Sequence, residues 1–300
     1  MSIDRRKFLK VAAVTGAGVV CGTGRAQANS APTSNPDEGY GMLNDSTRCI
    51  GCKACQSACK KENKLKPETS LSEEIYDSPR ALSEHTYTLI KMHRDEQSGE
   101  ATFVKQQCMH CVDPACQSAC LVGALKKQEN GAVTWDSDKC MGCRYCMMAC
   151  PYNVPQFEWH AAIPDIKKCT LCSETRLKKG EPTACSMTCP AGAIVFGKRG
   201  DLKRIARERI AAEPARYRNY VYGEKEVGGT NVLYLSKKEV AFADLGLPDF
   251  GYKAPPRLTE AIQHGVFKYF IPPVAIYATL GGIMAFNNRK HKQQEGDGHE

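Results

Sequence analysis

Sixteen of the seventeen cysteines in this 300-residue sequence fall into four tight groups, and their spacing constrains the fold more than any other feature. Quartets one and three have the spacing C-x-x-C-x-x-C-x-x-x-C, quartet two widens its middle gap to four residues, and quartet four widens it to twelve. The quartets, in chain order, are Cys49, Cys52, Cys55 and Cys59; Cys108, Cys111, Cys116 and Cys120; Cys140, Cys143, Cys146 and Cys150; and Cys169, Cys172, Cys185 and Cys189.

The two-residue gaps are typical of loops that bind a [4Fe-4S] cluster. Such a loop turns three thiolates toward one cubane, with backbone N–H groups facing the cluster sulfurs. The fourth cysteine of a quartet points away and ligates another cluster, as in two-cluster ferredoxins, so quartets must work in pairs. Only nineteen residues separate quartets two and three, which predicts that these two form one pair and that quartets one and four form the other.

This pairing predicts four [4Fe-4S] clusters, each held by a set of four cysteines. Because the pairs nest along the chain, the expected fold is α+β, with two ferredoxin-like dicluster modules, one inserted in the other. The predicted ligands are Cys49, Cys52, Cys55 and Cys189 (set one); Cys59, Cys169, Cys172 and Cys185 (set two); Cys108, Cys111, Cys116 and Cys150 (set three); and Cys120, Cys140, Cys143 and Cys146 (set four).

Zinc and disulfides are the alternative uses of such cysteines. Structural zinc sites usually join two separated C-x-x-C knuckles, whereas quartets one and three are continuous. Cysteines two residues apart do not readily reach disulfide geometry within one loop. A structural zinc-binding envelope protein remains the alternative of another class, and metal analysis distinguishes it.

Several polar residues near the quartets have two interpretations. His110 lies between two predicted ligands, where it either tunes a cluster by hydrogen bonding or is a packed or solvated histidine. Five basic residues either offset the anionic clusters or form a solvated face. They are Lys53, Lys60, Arg144, Lys167 and Lys168.

The remaining sequence adds local structure but no substrate site. Runs at 132–135 and 193–196 predict strands, and residues 201–212 predict a surface helix. No pair of acids stands out in the loops as a general acid and base, and no GxSxG, HExxH or phosphate-binding loop occurs, which predicts a non-catalytic protein. Of the net charge of +8, residues 1–28 carry +4, and no basic track interleaved with aromatics occurs, so no nucleic-acid partner is expected.

Both ends of the chain predict export and membrane attachment. The segment DRRKFLK, a short apolar run and an A-x-A site at Ala26–Ala28 predict a twin-arginine signal peptide, with Cys21 discarded. The uncharged segment 269–286 is long enough to span a bilayer and is followed by basic residues. We therefore expect a periplasmic protein anchored to the inner membrane, N-out and C-in.

The predicted domain organisation has five parts. They are a signal peptide (1–28), a four-cluster domain (41–200), a C-terminal extension (201–268), a transmembrane helix (269–286) and a cytoplasmic tail (287–300).

A family resemblance rests on four segments of the sequence: KQQCMHCVDPACQSAC, MGCRYCMMACPYNVPQFEW, KKCTLC and YGEKEVGGTNVLYL. The chain resembles the four-cluster subunits of bacterial respiratory oxidoreductases and, more narrowly, the HybA-type electron-transfer subunits of hydrogenase-2. That resemblance implies a link between a periplasmic [NiFe] hydrogenase small subunit and an integral-membrane quinone-reactive subunit. The iron-sulfur subunit of a formate dehydrogenase or another molybdenum oxidoreductase is the alternative. Leu121 departs from the family, in which proline often follows Cys120.

Overall fold

The computed structural model describes residues 35–67, 76, 79–96, 99–161, 164–256, 277–278, 280–282 and 284. The strands are β1 (Tyr40–Asp45), β2 (Thr88–Arg94), β3 (Ala101–Gln107), β4 (Leu125–Lys127), β5 (Val133–Trp135), β6 (Gln156–Phe157), β7 (Ile166–Lys167), β8 (Ile194–Lys198) and β9 (Val232–Leu235). The α-helices are α1 (Ala54–Asn63), α2 (Ala115–Ser118), α3 (Tyr145–Ala149), α4 (Ala184–Met187) and α5 (Arg199–Ala212).

Strand β1 is the centre of a three-stranded sheet with the order β8-β1-β9. It runs antiparallel to β8 and parallel to β9, so that Leu43 lies opposite Val195 on one side and Leu233 on the other. Successive side chains of a strand point to opposite faces. Leu43 therefore joins the core beneath α5, while Met42 lies in the core on the cysteine side.

Helix α5 covers the face of the sheet opposite the cysteines. Leu202, Ala206 and Ile210 follow one another at four-residue spacing, which places them on one side of a helix, and all three are buried. Beneath the helix, the buried carboxylate of Asp45 accepts a hydrogen bond from Tyr217 Oη at 2.9 Å. The helix predicted over residues 201–212 is confirmed and begins at Arg199.

Three antiparallel hairpins, β2-β3, β4-β5 and β6-β7, support the cysteine loops. The strands predicted at 132–135 and 193–196 are confirmed as β5 and β8. Helix α1 packs against α4, and α2 packs against α3. These helix contacts join quartet one to quartet four and quartet two to quartet three.

The predicted signal peptide, with Cys21, and the predicted tail lie outside the described residues, as does most of segment 269–286. The six described residues of that segment are helical. Within the described parts of the chain, no helix has the length and apolar character needed to cross a membrane.

Candidate functional site

The four C-x-x-C loops share one backbone feature. The residue before the second cysteine has a positive φ in every quartet: Gly51 at 70°, His110 at 47°, Gly142 at 69° and Leu171 at 58°. Left-handed conformations suit glycine and are uncommon for other residues. Because His110 and Leu171 adopt the same turn as the two glycines, the loop geometry follows the cysteine spacing in all four quartets.

Set one surrounds a cavity beside the sheet. Cys49, Cys52, Cys55 and Cys189 all line this cavity, whose empty volume is about 480 Å³ including its opening to solvent. Burial raises the pKa of Cys49, and the neighbouring Cys189 and Cys52 thiolates raise it further. Three loop cysteines of quartet one and the last cysteine of quartet four therefore meet at one place.

Set two surrounds a second cavity, next to the first. Its lining contains Cys59, Cys169, Cys172 and Cys185, and its empty volume is about 330 Å³ including open solvent. Burial raises the pKa of Cys59 well above its usual value, with Cys169 and Cys185 adding to the rise. Both helices of the α1-α4 pair supply thiols to this cavity.

Sets three and four lie at the α2-α3 pair. Burial raises the pKa of Cys111 well above its usual value, and the thiolates of Cys108, Cys150 and Cys116 raise it further. Burial likewise raises the pKa of Cys146 to about 11, and its neighbouring thiols are all from set four. They are Cys120, Cys140 and Cys143. The structure thus brings together the four cysteines of each predicted set.

The donor chemistry of these sites fits iron-sulfur clusters. Four thiols surround each of the two cavities beside the sheet. Across the described residues, no group of three or more His, Cys, Asp or Glu side chains is placed to hold a single metal ion. In a cluster the thiolates ligate separate irons, so the four sulfurs enclose a volume.

Hydrogen-bond donors reach several thiol sulfurs. The Ala124 N–H donates to Cys120 Sγ at 3.2 Å, and the Leu171 N–H donates to Cys169 Sγ at 3.5 Å. Asn63 Nδ2 donates to Cys59 Sγ at 3.6 Å. Hydrogen bonds of this kind stabilise the thiolate and are one of the factors that set cluster potentials.

Each set neighbours the next in the order one, two, three, four, and we call the four sets in this order the row. Burial raises the pKa of Cys55 in set one to about 12, and the thiolate of Cys185 in set two contributes to the rise. In the same way, Cys108 of set three contributes to the raised pKa of Cys169 in set two. Cys146 of set four is close enough to Cys116 of set three to contribute there.

The two cysteines of the exposed class lie at the two ends of this row. Cys52 of set one and Cys143 of set four are exposed, whereas each of the eight cysteines in sets two and three is buried or half-buried. Exposed apolar side chains lie beside both ends, including Ile50 near set one and Met141 near set four. The middle of the row is therefore less exposed to solvent than its ends.

Two lysines beside the row are buried and a third, Lys127, is half-buried; of these the sequence indicated only Lys168. Its Nζ lies 3.9 Å from Cys108 Sγ and donates to the Cys169 carbonyl at 3.1 Å. Lys127 Nζ donates to the carbonyls of His110 and Cys111, at 3.0 and 2.8 Å. Burial lowers its pKa to about 8, while Cys111 and Cys108 oppose the shift.

The other buried lysine, Lys105, lines both cavities beside the sheet. The sequence offered one signal for this position, a charged residue next to Val104 in a strand of buried side chains. Sequence reasoning missed it because such a lysine usually lies on an exposed edge.

The other basic residues singled out from sequence take part in peripheral contacts. Arg144 stacks on Trp159 at 4.9 Å, and Lys167 lies over the Trp135 ring at 5.1 Å. Lys53 lies over the Tyr76 ring at 5.4 Å. Lys60 Nζ donates to the His85 carbonyl at 2.8 Å.

His110 is fully buried, which agrees with a packed histidine. Its Nδ1 accepts a hydrogen bond from the Val133 N–H at 2.9 Å, so the neutral ring carries its proton on Nε2. Burial lowers the pKa of His110 well below its usual value, and Lys168, Lys127 and Lys105 lower it further. Nε2 has no hydrogen-bond partner among the described residues.

Comparison with known proteins agrees with this geometry. Two models of a 4Fe-4S dicluster domain match the chain, over residues 48–124 and 100–199. A protein of Nitratidesulfovibrio vulgaris is 41% identical over 97% of this chain and 78% of its own length. The hydrogenase-2 operon protein HybA of Escherichia coli O157:H7 is 36% identical over 99% of this chain and 100% of its own length. The nitrate-inducible formate dehydrogenase iron-sulfur subunit of Escherichia coli K12 is 34% identical over 86% of this chain and 89% of its own length.

Grouped thiols in two dicluster domains define a ferredoxin-type iron-sulfur protein that transfers electrons. Identity over almost the whole length makes the assignment narrower: the chain belongs to the family of HybA and is an iron-sulfur electron-transfer subunit of a respiratory oxidoreductase. The resemblance inferred from the cysteine motifs is therefore confirmed.

Proposed function

We propose that this chain carries electrons one at a time along four [4Fe-4S] clusters, between a periplasmic [NiFe] hydrogenase and an integral-membrane quinone-reactive subunit. Each cysteine set holds one cluster, and the chain has no substrate chemistry of its own. The observation that carries the proposal is the row of four thiol sets with an exposed thiol only at its two ends. A row of this form accepts an electron at one surface and delivers it at another.

The protein contributes attachment, shielding and charge. Bound clusters supply reversible one-electron oxidation and reduction. The thiolates hold them in place, and the burial of sets two and three keeps water from the middle of the path. The buried Lys168 and the half-buried Lys127 offset negative charge near set three. Screening by solvent is weak at such buried positions, so these charges act strongly.

The hydrogenase partner is favoured over a molybdenum enzyme by the extent of the relationship. The hydrogenase-2 relative aligns with 99% of this chain, and the formate dehydrogenase subunit aligns with 86%. A twin-arginine signal on this chain also favours the hydrogenase, because formate dehydrogenase subunits of this kind usually rely on the signal of their partner.

We further propose that the chain is exported through residues 1–28 and anchored in the inner membrane by segment 269–286, with its tail in the cytoplasm. The described apolar side chains of that segment are exposed: Tyr277 at 75%, Leu280 at 50% and Met284 at 66%. Exposed apolar side chains at helical spacing suit a lipid or protein-covered environment.

Anaerobic purification of the full chain from detergent-solubilised membranes tests the proposal. We expect about sixteen irons and a matching amount of acid-labile sulfide per chain. We also expect nickel-iron hydrogenase subunits to co-purify. A colourless protein with zinc and no iron would contradict the electron-transfer role, whereas an iron-rich protein bound to a molybdenum subunit would contradict only the partner.

A further inference from the structure

Lys105 is the only described lysine that lines both cavities beside the sheet. It lies in β3, and its side chain is 3% exposed. Tyr234 fixes the backbone of this position by donating its hydroxyl to the Lys105 carbonyl at 2.7 Å. The ammonium group is thus held between the thiols of set one and those of set two.

The ammonium group has no hydrogen-bond acceptor among the described residues. An isolated buried charge is strongly unfavourable unless opposite charge compensates it. Lys105 faces the cysteines of set one in one cavity and those of set two in the other, and thiolates that ligate a cluster are negatively charged. Negative charge on both sides of Lys105 therefore stabilises it as a cation.

We propose that Lys105 is a shared electrostatic positioning residue that raises the reduction potentials of the clusters in sets one and two together. This inference rests on the proposed function. Reduction of a cluster adds one electron and one negative charge, and a fixed cation nearby stabilises the reduced form. Lys105 keeps its proton, so the electron arrives from one neighbouring centre and leaves to the next without proton transfer.

The location of Lys105 separates this role from general charge balance. Lys168 and Lys127 interact with the thiols of set three, and neither lines the two cavities beside the sheet. Removing the charge of Lys105 should therefore lower two potentials out of four. A charge effect spread over the whole row would move all four.

The test is an anaerobic redox titration of the full chain, followed by the electron paramagnetic resonance signals of the reduced clusters. In Lys105→Met and Lys105→Gln, we expect the reduced-to-oxidised ratio of two clusters to fall at least tenfold at the wild-type midpoint. For one electron, that change equals 59 mV. Lys105→Arg keeps the charge and should restore the ratio to within about threefold. Lys126→Met removes an exposed lysine and is the matched control.

Unchanged potentials in both uncharged variants, with normal iron content, would overturn the inference. Equal shifts of all four clusters would also overturn it. If both uncharged variants lost iron while Lys105→Arg kept it, Lys105 would be needed for cluster retention, and the tuning role would be wrong. Absence of iron from the wild-type chain would instead contradict the proposed function itself.

Discussion

The two ends of the thiol row differ in how the protein encloses them. Set one lies against a sheet that is covered on its far face by α5, and its cavity lining includes Asn44 and Ile194 of that sheet. Set four lies in a small apolar cluster that includes Leu125 and Phe157. At that end Met148 is 84% exposed and Leu121 is 77% exposed. The same cysteine motif is therefore embedded in a large core at one end and in a thin shell at the other.

This contrast shows that ligand spacing and ligand environment are set separately. The loops of quartets one and three have the same cysteine spacing, and Gly51 and Gly142 adopt the same positive φ. What differs is the packing around them. We therefore expect equal changes at the two ends to have unequal consequences, because the sheet side is coupled to the global fold and the set-four side is not.

Loss of a ligand should give the largest effect. Cys185→Ser removes a buried thiol in the middle of the row, so we expect loss of the set-two cluster, weakened neighbouring clusters and no electron transfer across the chain. Cys143→Ser removes an exposed thiol at the end, and about four of about sixteen irons should be lost. Iron and sulfide analysis with electron paramagnetic resonance measures both. Equal iron loss in the two variants would contradict the expected difference between the middle of the row and its end. Ser57→Ala, at an exposed site, is the control.

A truncated leucine should separate global from local stability. Leu202 and Leu125 are both almost fully buried, and Leu→Ala at either site should cost about 3 kcal/mol. We expect Leu202→Ala to lower the free energy of unfolding of the whole domain. Leu125→Ala should instead release the clusters of sets three and four before the fold is lost.

Denaturant titrations followed by both circular dichroism and cluster absorbance distinguish these outcomes. The two signals should change together in Leu202→Ala and separate in Leu125→Ala. Coincident signals in both variants would show that the thin shell unfolds with the sheet. Val122→Ala, at a partly exposed site beside set four, is the control.

A carboxylate at each end should respond differently to acid. Arg199 and Lys203 of α5 donate to Asp37, and despite partial burial their hydrogen bonds hold the Asp37 pKa below its usual value of 3.8. A depressed pKa stabilises the fold above the unfolded-state pKa, and this contribution is lost as pH falls through the lower folded-state value. With Asp37 about one-third exposed, Asp37→Asn should cost about 0.5 kcal/mol at pH 7.

Denaturant unfolding of Asp37→Asn and wild type at pH 7 and at pH 3 measures that difference. The difference in unfolding free energy between the two proteins should shrink at the lower pH, because the contribution of ionised Asp37 is lost as the wild type is protonated. The other acid-sensitive groups are the same in both proteins. Asp136, whose side chain is 43% exposed, provides the comparison on the set-four side. The hydrogen bond from Lys139 also lowers its pKa, but a single exposed pair contributes little, so Asp136→Asn should show a smaller difference than Asp37→Asn. A difference in unfolding free energy that is the same at pH 7 and pH 3 for Asp37→Asn would contradict the lowered pKa of Asp37.

The smallest effect is expected at the exposed surface of set four. Met148→Gln should leave iron content unchanged and alter the free energy of unfolding by less than about 0.5 kcal/mol, since surface substitutions rarely do more. Thermal unfolding and iron analysis test this. A loss of several kcal/mol would mean that the shell around set four is more closely packed than its exposure indicates.

Much of the candidate site could be predicted because its determinants are local. Two-residue gaps between cysteines force a tight loop whatever surrounds it, and the backbone at His110 and Leu171 follows that loop without glycine. Short strand-like runs likewise predicted β5 and β8, and residues 201–212 predicted the helix α5. Each of these signals lies within a short stretch of chain.

The charges and exposures of the site could not be predicted in the same way. Lys105 is an ordinary strand residue in the sequence, and it is buried only because distant segments cover it. Strand β9, which comes after all the cysteines, pairs with β1 and completes the sheet beneath sets one and two. Its position depends on contacts across almost 200 residues.

The sequence by itself determined which thiols form a loop and how the quartets pair, because those properties follow from spacing and chain connectivity. Only the tertiary structure decided the order of the four sets, which thiols reach solvent, and where Lys105 lies. Those properties arise from packing between distant segments, and burial and electrostatic strength depend on that packing.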